Sequence, residues 1–132
     1  MPIRIVRLGS PRARNEGLRL GTVRRPPRGV PRSEFARRDF YDLWFPLLSP
    51  SAQLMARAQA AVAADDDKAW KAFERGFRRE MGEGEAARTL DLLAALSPST
   101  DLAIGCYCED ERRCHRGVLR ALLLERGASL RE

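Results

Sequence analysis

The stretch LAIGCYC, residues 102–108, constrains the fold more than any other part of the chain. Its near-continuous apolar character suggests a strand buried on both faces, as strands of a parallel sheet are. An acidic and basic turn follows, Glu109 to Arg113, and then an amphipathic helix from Arg113 to Arg126. Val118, Leu119, Leu122 and Leu123 form its inward stripe, and Gly127 serves as its C-cap. A buried strand that feeds a helix through a short loop points to an α/β fold. The expectation is a single compact domain over residues 1–132, with a small, mostly parallel sheet flanked by helices. At 132 residues and 44% hydrophobic content the chain is large and apolar enough for one such core.

The remaining elements follow from periodicity and turn signals. Ile3 to Leu8 reads as a strand ended by Gly9-Ser10-Pro11, residues 12–19 as a loop, and Leu20 to Val23 as a second short strand. RRPPRGVPR, residues 24–32, is an irregular loop stiffened by Pro26, Pro27 and Pro31. Ser33 to Phe40 reads as a short helical segment, and the aromatic stretch 41–48 packs the basic loop onto the core. Ser49 as N-cap and Pro50 at the first helical position open an Ala-rich helix to Ala64. Asp65-Asp66-Asp67 caps a helix from Lys68 to Met81 with Trp70, Phe73 and Phe77 on one face, and Glu85 to Leu96 forms another.

Charge is distributed unevenly. Residues 1–40 hold eleven arginines against three acidic residues, whereas the rest holds thirteen basic and fifteen acidic groups. A basic N-terminal segment favours an anionic partner: a phosphate, a nucleotide or a nucleic acid. Arg24, Arg25 and Arg28 sit on the proline-stiffened loop, where guanidinium forks suit bidentate binding of phosphate or carboxylate. The bland alternative is that they pair with the acidic second half. No apolar run reaches membrane-spanning length, so no membrane partner is expected. The N-terminal residues lack a hydrophobic leader, so a cytoplasmic setting is expected, in which clustered cysteines mean metal binding or catalysis more often than disulfides.

All three cysteines and the only histidine fall within residues 106–115. Three chemistries compete for them. Cys106, Cys108, Cys114 and His115 make a legitimate zinc set, although no cofactor is the leading expectation. Spacing counts against it: C-x-C on an extended strand holds two sulfurs apart, and adjacent Cys and His on a helix point about 100° apart. A thiol nucleophile is the second reading, with Cys108, or Cys114 in the first turn of the helix, as the reactive thiol, His115 or Arg116 lowering its pKa, and Glu109 as acid, base or orienter. The third is structural: Cys106 fills the core and His115 steadies the helix start.

Four segments, RLGSPR at 7–12, EGLRLGTVRRPPRGVP at 16–31, YDLWFPLLSPS at 41–51 and CYCEDERRCHRGVL at 106–119, resemble the bacterial domain-of-unknown-function family four-eight-eight. Its most recognisable motif corresponds here to Cys108, Glu109, Cys114, His115 and Arg116. The resemblance implies a compact cytoplasmic α/β domain and a site position, and no established activity. The expected site has Cys108, Glu109, Cys114, His115 and Arg116 on one wall and Arg24, Arg25 and Arg28 on the other. It would bind a small anionic or nucleotide-like ligand, with or without thiol chemistry. The competing functions are a nucleic-acid-associated module that uses the basic N-terminal segment and a structural zinc domain.

Overall fold

Five parallel strands define the molecule. A computed structural model describes residues 2–131. The strands are β1 (Ile3–Arg7), β2 (Leu18–Gly21), β3 (Leu43–Trp44), β4 (Leu102–Cys106) and β5 (Leu130–Arg131), ordered β3-β2-β4-β1-β5. The helices are α1 (Ala52–Ala63), α2 (Asp67–Met81), α3 (Gly84–Leu96) and α4 (His115–Glu125). The α/β class and the parallel sheet are as the sequence predicts. Every residue of β4 is buried, which accounts for its unbroken apolar run.

The connections sort by direction. The steps from β1 to β2 and from β2 to β3 move toward one edge and carry no α-helix. The steps from β3 to β4 and from β4 to β5 move back and carry all four. Parallel crossovers are right-handed, so the two sets lie on opposite faces of the sheet. The main core lies on the helical face, where Ile3, Leu20, Leu102 and Ile104 meet Phe73, Phe77, Leu90, Leu119 and Leu123. On the other face the chain must come close. A Cβ on Gly21 would sit 2.3 Å from the Tyr41 ring, and one on Gly105 would sit 2.5 Å from the Val6 carbonyl oxygen.

Loops rather than helices seal that second face, and an ion pair fastens them. Arg19 is fully buried, and Glu16 is 4% exposed. Nε and Nη2 of Arg19 donate to Glu16 at 2.8 and 2.9 Å, and Nη1 donates to the carbonyls of Ser10 and Asp39 at 2.9 and 2.7 Å. Arg12 grips Asp42 bidentately at 2.8 and 3.2 Å, and Asp42 also accepts the Arg19 amide at 2.8 Å. Burial alone would raise both carboxyl pKa values. The hydrogen bonds and positive charges of Arg19 and Arg12 outweigh it, so both carboxyls lie below their ordinary values.

Several local expectations shift. The first long helix is capped by Ser51, whose hydroxyl accepts the Leu54 amide, and starts at Ala52. The Ser49 hydroxyl donates to the Pro46 carbonyl at 2.7 Å, and Ser49 lies two residues before the cap. β2 begins at Leu18, two residues before the predicted strand, and the segment after Pro31 makes only a single 3-10 turn, Arg32–Glu34. Helix α2 starts at its expected place, with Asp66 accepting the Ala69 amide.

The Glu16–Arg19 pair predicts both a mutant and an acid effect. Replacing one partner strands the other charge, so Glu16→Gln should lower stability at neutral pH by about 3 kcal/mol. Depressed carboxylates contribute stability above their unfolded pKa, and it is lost as pH falls through the lower folded value. Urea midpoints of the wild type should therefore fall steeply below about pH 4, with a shallower fall in Glu16→Gln. Parallel profiles in the two proteins would refute the assignment.

Candidate functional site

Three strand ends meet at the carboxyl edge of the sheet. Arg7 at the end of β1 is in register with Cys106 at the end of β4, and Gly21 of β2 is in register with Gly105. Just past the strands, Leu8 donates its amide to the Cys106 carbonyl at 2.8 Å. Thr22 donates both its amide and its hydroxyl to the Gly105 carbonyl, each at 2.9 Å. The last turn of β4 is thus held from both flanks. Because β1 and β2 leave toward the loop face and β4 toward the helical face, their exits part at this edge, which is where open α/β sheets bind ligands.

The turn out of β4 contains a 3-10 segment, Glu111–Arg113, and ends at Cys114, whose backbone is extended with φ −137° and ψ 147°. Cys114 is the N-cap of α4. The helix passes so close to the turn that a Cβ on Gly117 would lie 2.5 Å from the Glu111 carbonyl oxygen. Cys114, His115 and Arg116 are all buried.

Their surroundings are specific. The structure pairs Cys106 and Cys114 sulfur to sulfur as a disulfide, contrary to the expectation against disulfides, and one ring nitrogen of His115 lies within 4.8 Å of both sulfurs. His115 Nε2 donates to the Thr22 carbonyl at 2.5 Å, and the ring stands edge-on to Phe77 at 5.7 Å. Burial pushes the His115 pKa down to about 4; the Thr22 carbonyl opposes this and the Arg116 charge adds to it. The imidazole is therefore neutral at physiological pH. Arg116 donates Nη1 to the carbonyls of Cys108 at 2.6 Å and Cys106 at 3.3 Å, and Nη2 to that of Glu109 at 3.3 Å. It gathers the turn around its guanidinium, whose pKa burial lowers.

The other sequence-predicted residues face outward. Cys108 is exposed, and the Glu109 side chain is 84% exposed and lies 3.6 Å from Arg7. Arg7 also donates Nε to the Tyr107 carbonyl at 3.2 Å. Shielding of the Cys108 thiol raises its pKa, and the positive charges of Arg116 and Arg7 counter this only in part. Arg24, Arg25 and Arg28 are exposed and have no ion-pair partner among the described residues. Their loop is nonetheless joined to the cysteine turn, because the Tyr107 hydroxyl donates to the Arg25 carbonyl at 2.9 Å. Trp44 fixes the start of the same loop through Nε1 to the Val23 carbonyl at 2.7 Å.

The predicted site thus divides into a buried layer, Cys114, His115 and Arg116, and an accessible rim, Cys108, Glu109 and the arginine loop. A further expectation fails: strand β4 ends at Cys106, so Cys106 and Cys108 do not lie on one extended strand. Cys106 is fully buried in an apolar cluster, as expected of a core cysteine, and there it meets Cys114. Thr22, Tyr107 and Arg7 carry no signal in the sequence beyond their position directly after or at a strand end. An open cleft of about 510 Å³ borders Cys114. Glu74, Glu111, Arg112 and Arg120 line it, so its charge is mixed.

A family model, DUF488-N3a, described as the active DUF488-N3 subclade, matches residues 3–127. The chain belongs to this family. No curated protein and no solved structure matches it. The family assignment agrees with the resemblance carried by Cys108, Glu109, Cys114, His115 and Arg116, and it assigns no reaction to them. Among the described residues no helix is long and apolar enough to cross a membrane.

The two layers predict unequal thiol accessibility. In the native, reduced protein, iodoacetamide should label Cys108 and leave Cys106 and Cys114 unmodified until denaturant is added. Peptide mass mapping reads this directly; labelling of Cys114 at a rate near that of Cys108 would contradict the burial described.

Proposed function

We propose that this member of the DUF488-N3a family is a small-ligand-binding protein of enzymatic type, with its site in the crevice at the carboxyl end of β4. The ligand class is anionic or nucleotide-like. Arg24, Arg25 and Arg28 form the binding rim, Cys108 and Glu109 are the reactive groups placed at its mouth, and Cys114, His115 and Arg116 hold the floor. The description of the matched subclade as active favours a catalytic over a purely structural role.

One observation carries the reading. The Tyr107–Arg25 hydrogen bond brings the arginine loop to the residue beside Cys108, although the two are 82 positions apart in sequence. Three exposed arginines without carboxylate partners among the described residues thus lie on a loop tied to the turn that carries the exposed Cys108 thiol. Exposed cations left unpaired beside a strand-end crevice are what an anionic ligand requires. Thiol chemistry at Cys108 would draw on Arg116 and Arg7, both of which favour its thiolate.

Calorimetric titration of the full chain with AMP and with inorganic pyrophosphate tests this. Binding of at least one is expected, with the double substitution Arg25→Ala and Arg28→Ala weakening it by roughly tenfold or more. Cys108→Ser should leave that affinity nearly unchanged, since the thiol acts after binding. Failure of both probes to bind at low salt, or indifference to the arginine substitutions, would overturn the proposal. Tight, steeply salt-dependent binding of duplex DNA instead would favour the nucleic-acid module.

A further inference from the structure

The buried layer has chemistry of its own that the ligand rim does not use. Cys106, Cys114 and His115 offer two sulfurs and one imidazole nitrogen, all within 4.8 Å of one another and all buried. Their placement is built from three separate elements. Cys106 closes β4, Cys114 caps α4, and His115 is oriented by the residue that follows β2.

We infer that Cys106, Cys114 and His115 bind a divalent metal ion of the zinc type, through two thiolates and one imidazole. Four features of the geometry support this. The first is the backbone separation of the cysteines. Their Cα atoms lie 7.8 Å apart, whereas two residues joined by a relaxed disulfide lie within about 7 Å. Side chains that converge from so wide a base suit a shared ion better than a covalent bond.

The second is the tautomer of His115. Its Nε2–H is committed to the Thr22 carbonyl at 2.5 Å, which leaves the lone pair on Nδ1. Metal-binding histidines are held in this way, with the other ring nitrogen donating to a carbonyl or carboxylate. The acceptor is itself fixed, since Thr22 donates both amide and hydroxyl to the Gly105 carbonyl of β4.

The third is Arg116. Its guanidinium is buried and has no carboxylate in ion-pair distance among the described residues. Its Nη1 lies 3.8 Å from Cys106 Sγ. A buried cation needs a counter-charge, and metal-bound thiolates supply it, with the N–H···S contact as an outer-shell bond. The fourth is that Arg116 Nε and the Tyr41 hydroxyl are buried without partners. Tyr41 belongs to the same buried cluster as Cys106 and Cys114.

The arguments from spacing against zinc fall away in this arrangement. The donor pair is Cys106 with Cys114, rather than the C-x-C of Cys106 with Cys108. Cys114 is extended, so the helical angle between it and His115 does not apply. Two thiolates and one imidazole leave a fourth tetrahedral position, which catalytic zinc sites fill with water or substrate. This inference is independent of the anion-binding rim.

Metal analysis of the full chain, purified under reducing conditions, tests it. About one equivalent of zinc per chain is expected in the wild type and in Cys108→Ser, with roughly a tenfold loss or more in Cys106→Ser, Cys114→Ser and His115→Ala. Should those variants fail to fold, the wild type alone decides. After removal of metal with a chelator, titration with cobalt(II) should produce a thiolate-to-cobalt charge-transfer band that saturates at about one equivalent. Either no stoichiometric metal and no such band, or recovery of the chain with Cys106 and Cys114 oxidised to each other in place of metal, would overturn the inference. So would loss of the metal in Cys108→Ser.

Discussion

The hold of Arg116 on the turn after β4 is the interaction on which the site depends. One guanidinium takes the carbonyls of Cys106, Cys108 and Glu109, and that of Cys106 also accepts the Leu8 amide. Unmade hydrogen bonds on buried groups cost more than made ones return. Arg116 therefore stabilises this course of the turn. That course brings Tyr107 to Arg25 and Glu109 to Arg7. It also leaves Cys108 outside and draws Cys114 under the sheet edge, against Cys106.

The opposite flank is organised by the same principle with different residues. Arg19 gathers the carbonyls of Ser10 and Asp39, with Glu16 as its counter-charge. Two buried arginines thus order the irregular segments that the helices do not cover. They differ in one respect: Arg19 has a buried carboxylate, and Arg116 has instead a sulfur and the partial charges of carbonyls. The two arginines consequently differ in kind, a closed ion pair at Arg19 and a guanidinium held by carbonyl oxygens at Arg116.

How much of this was legible depended on range. β4, α2, α3 and α4 announced themselves, because unbroken apolar runs, three- and four-residue spacings and Asp66 are local signals. β3 and β5 did not. Each is two residues long, and pairing at a sheet edge, rather than any pattern in Leu43-Trp44 or Leu130-Arg131, makes them strands. The Cys and His cluster was visible, and its division into layers was not. That division turns on where β4 stops and on the extended backbone of Cys114, both set by tertiary hydrogen bonds. Arg19 was hidden for a related reason. In a segment crowded with exposed arginines, only the closure of three loops over it marks one as internal.

The arginine loop and the cysteine turn are tied through Tyr107, on a turn held by Arg116. Amide hydrogen exchange in Arg116→Met reads whether they behave as one unit. Protection should fall together in residues 107–110 and in residues 22–28, while β1 and α2 keep theirs. Faster exchange in 107–110 with 22–28 unchanged would contradict it, since the two segments would then be neighbours without being coupled.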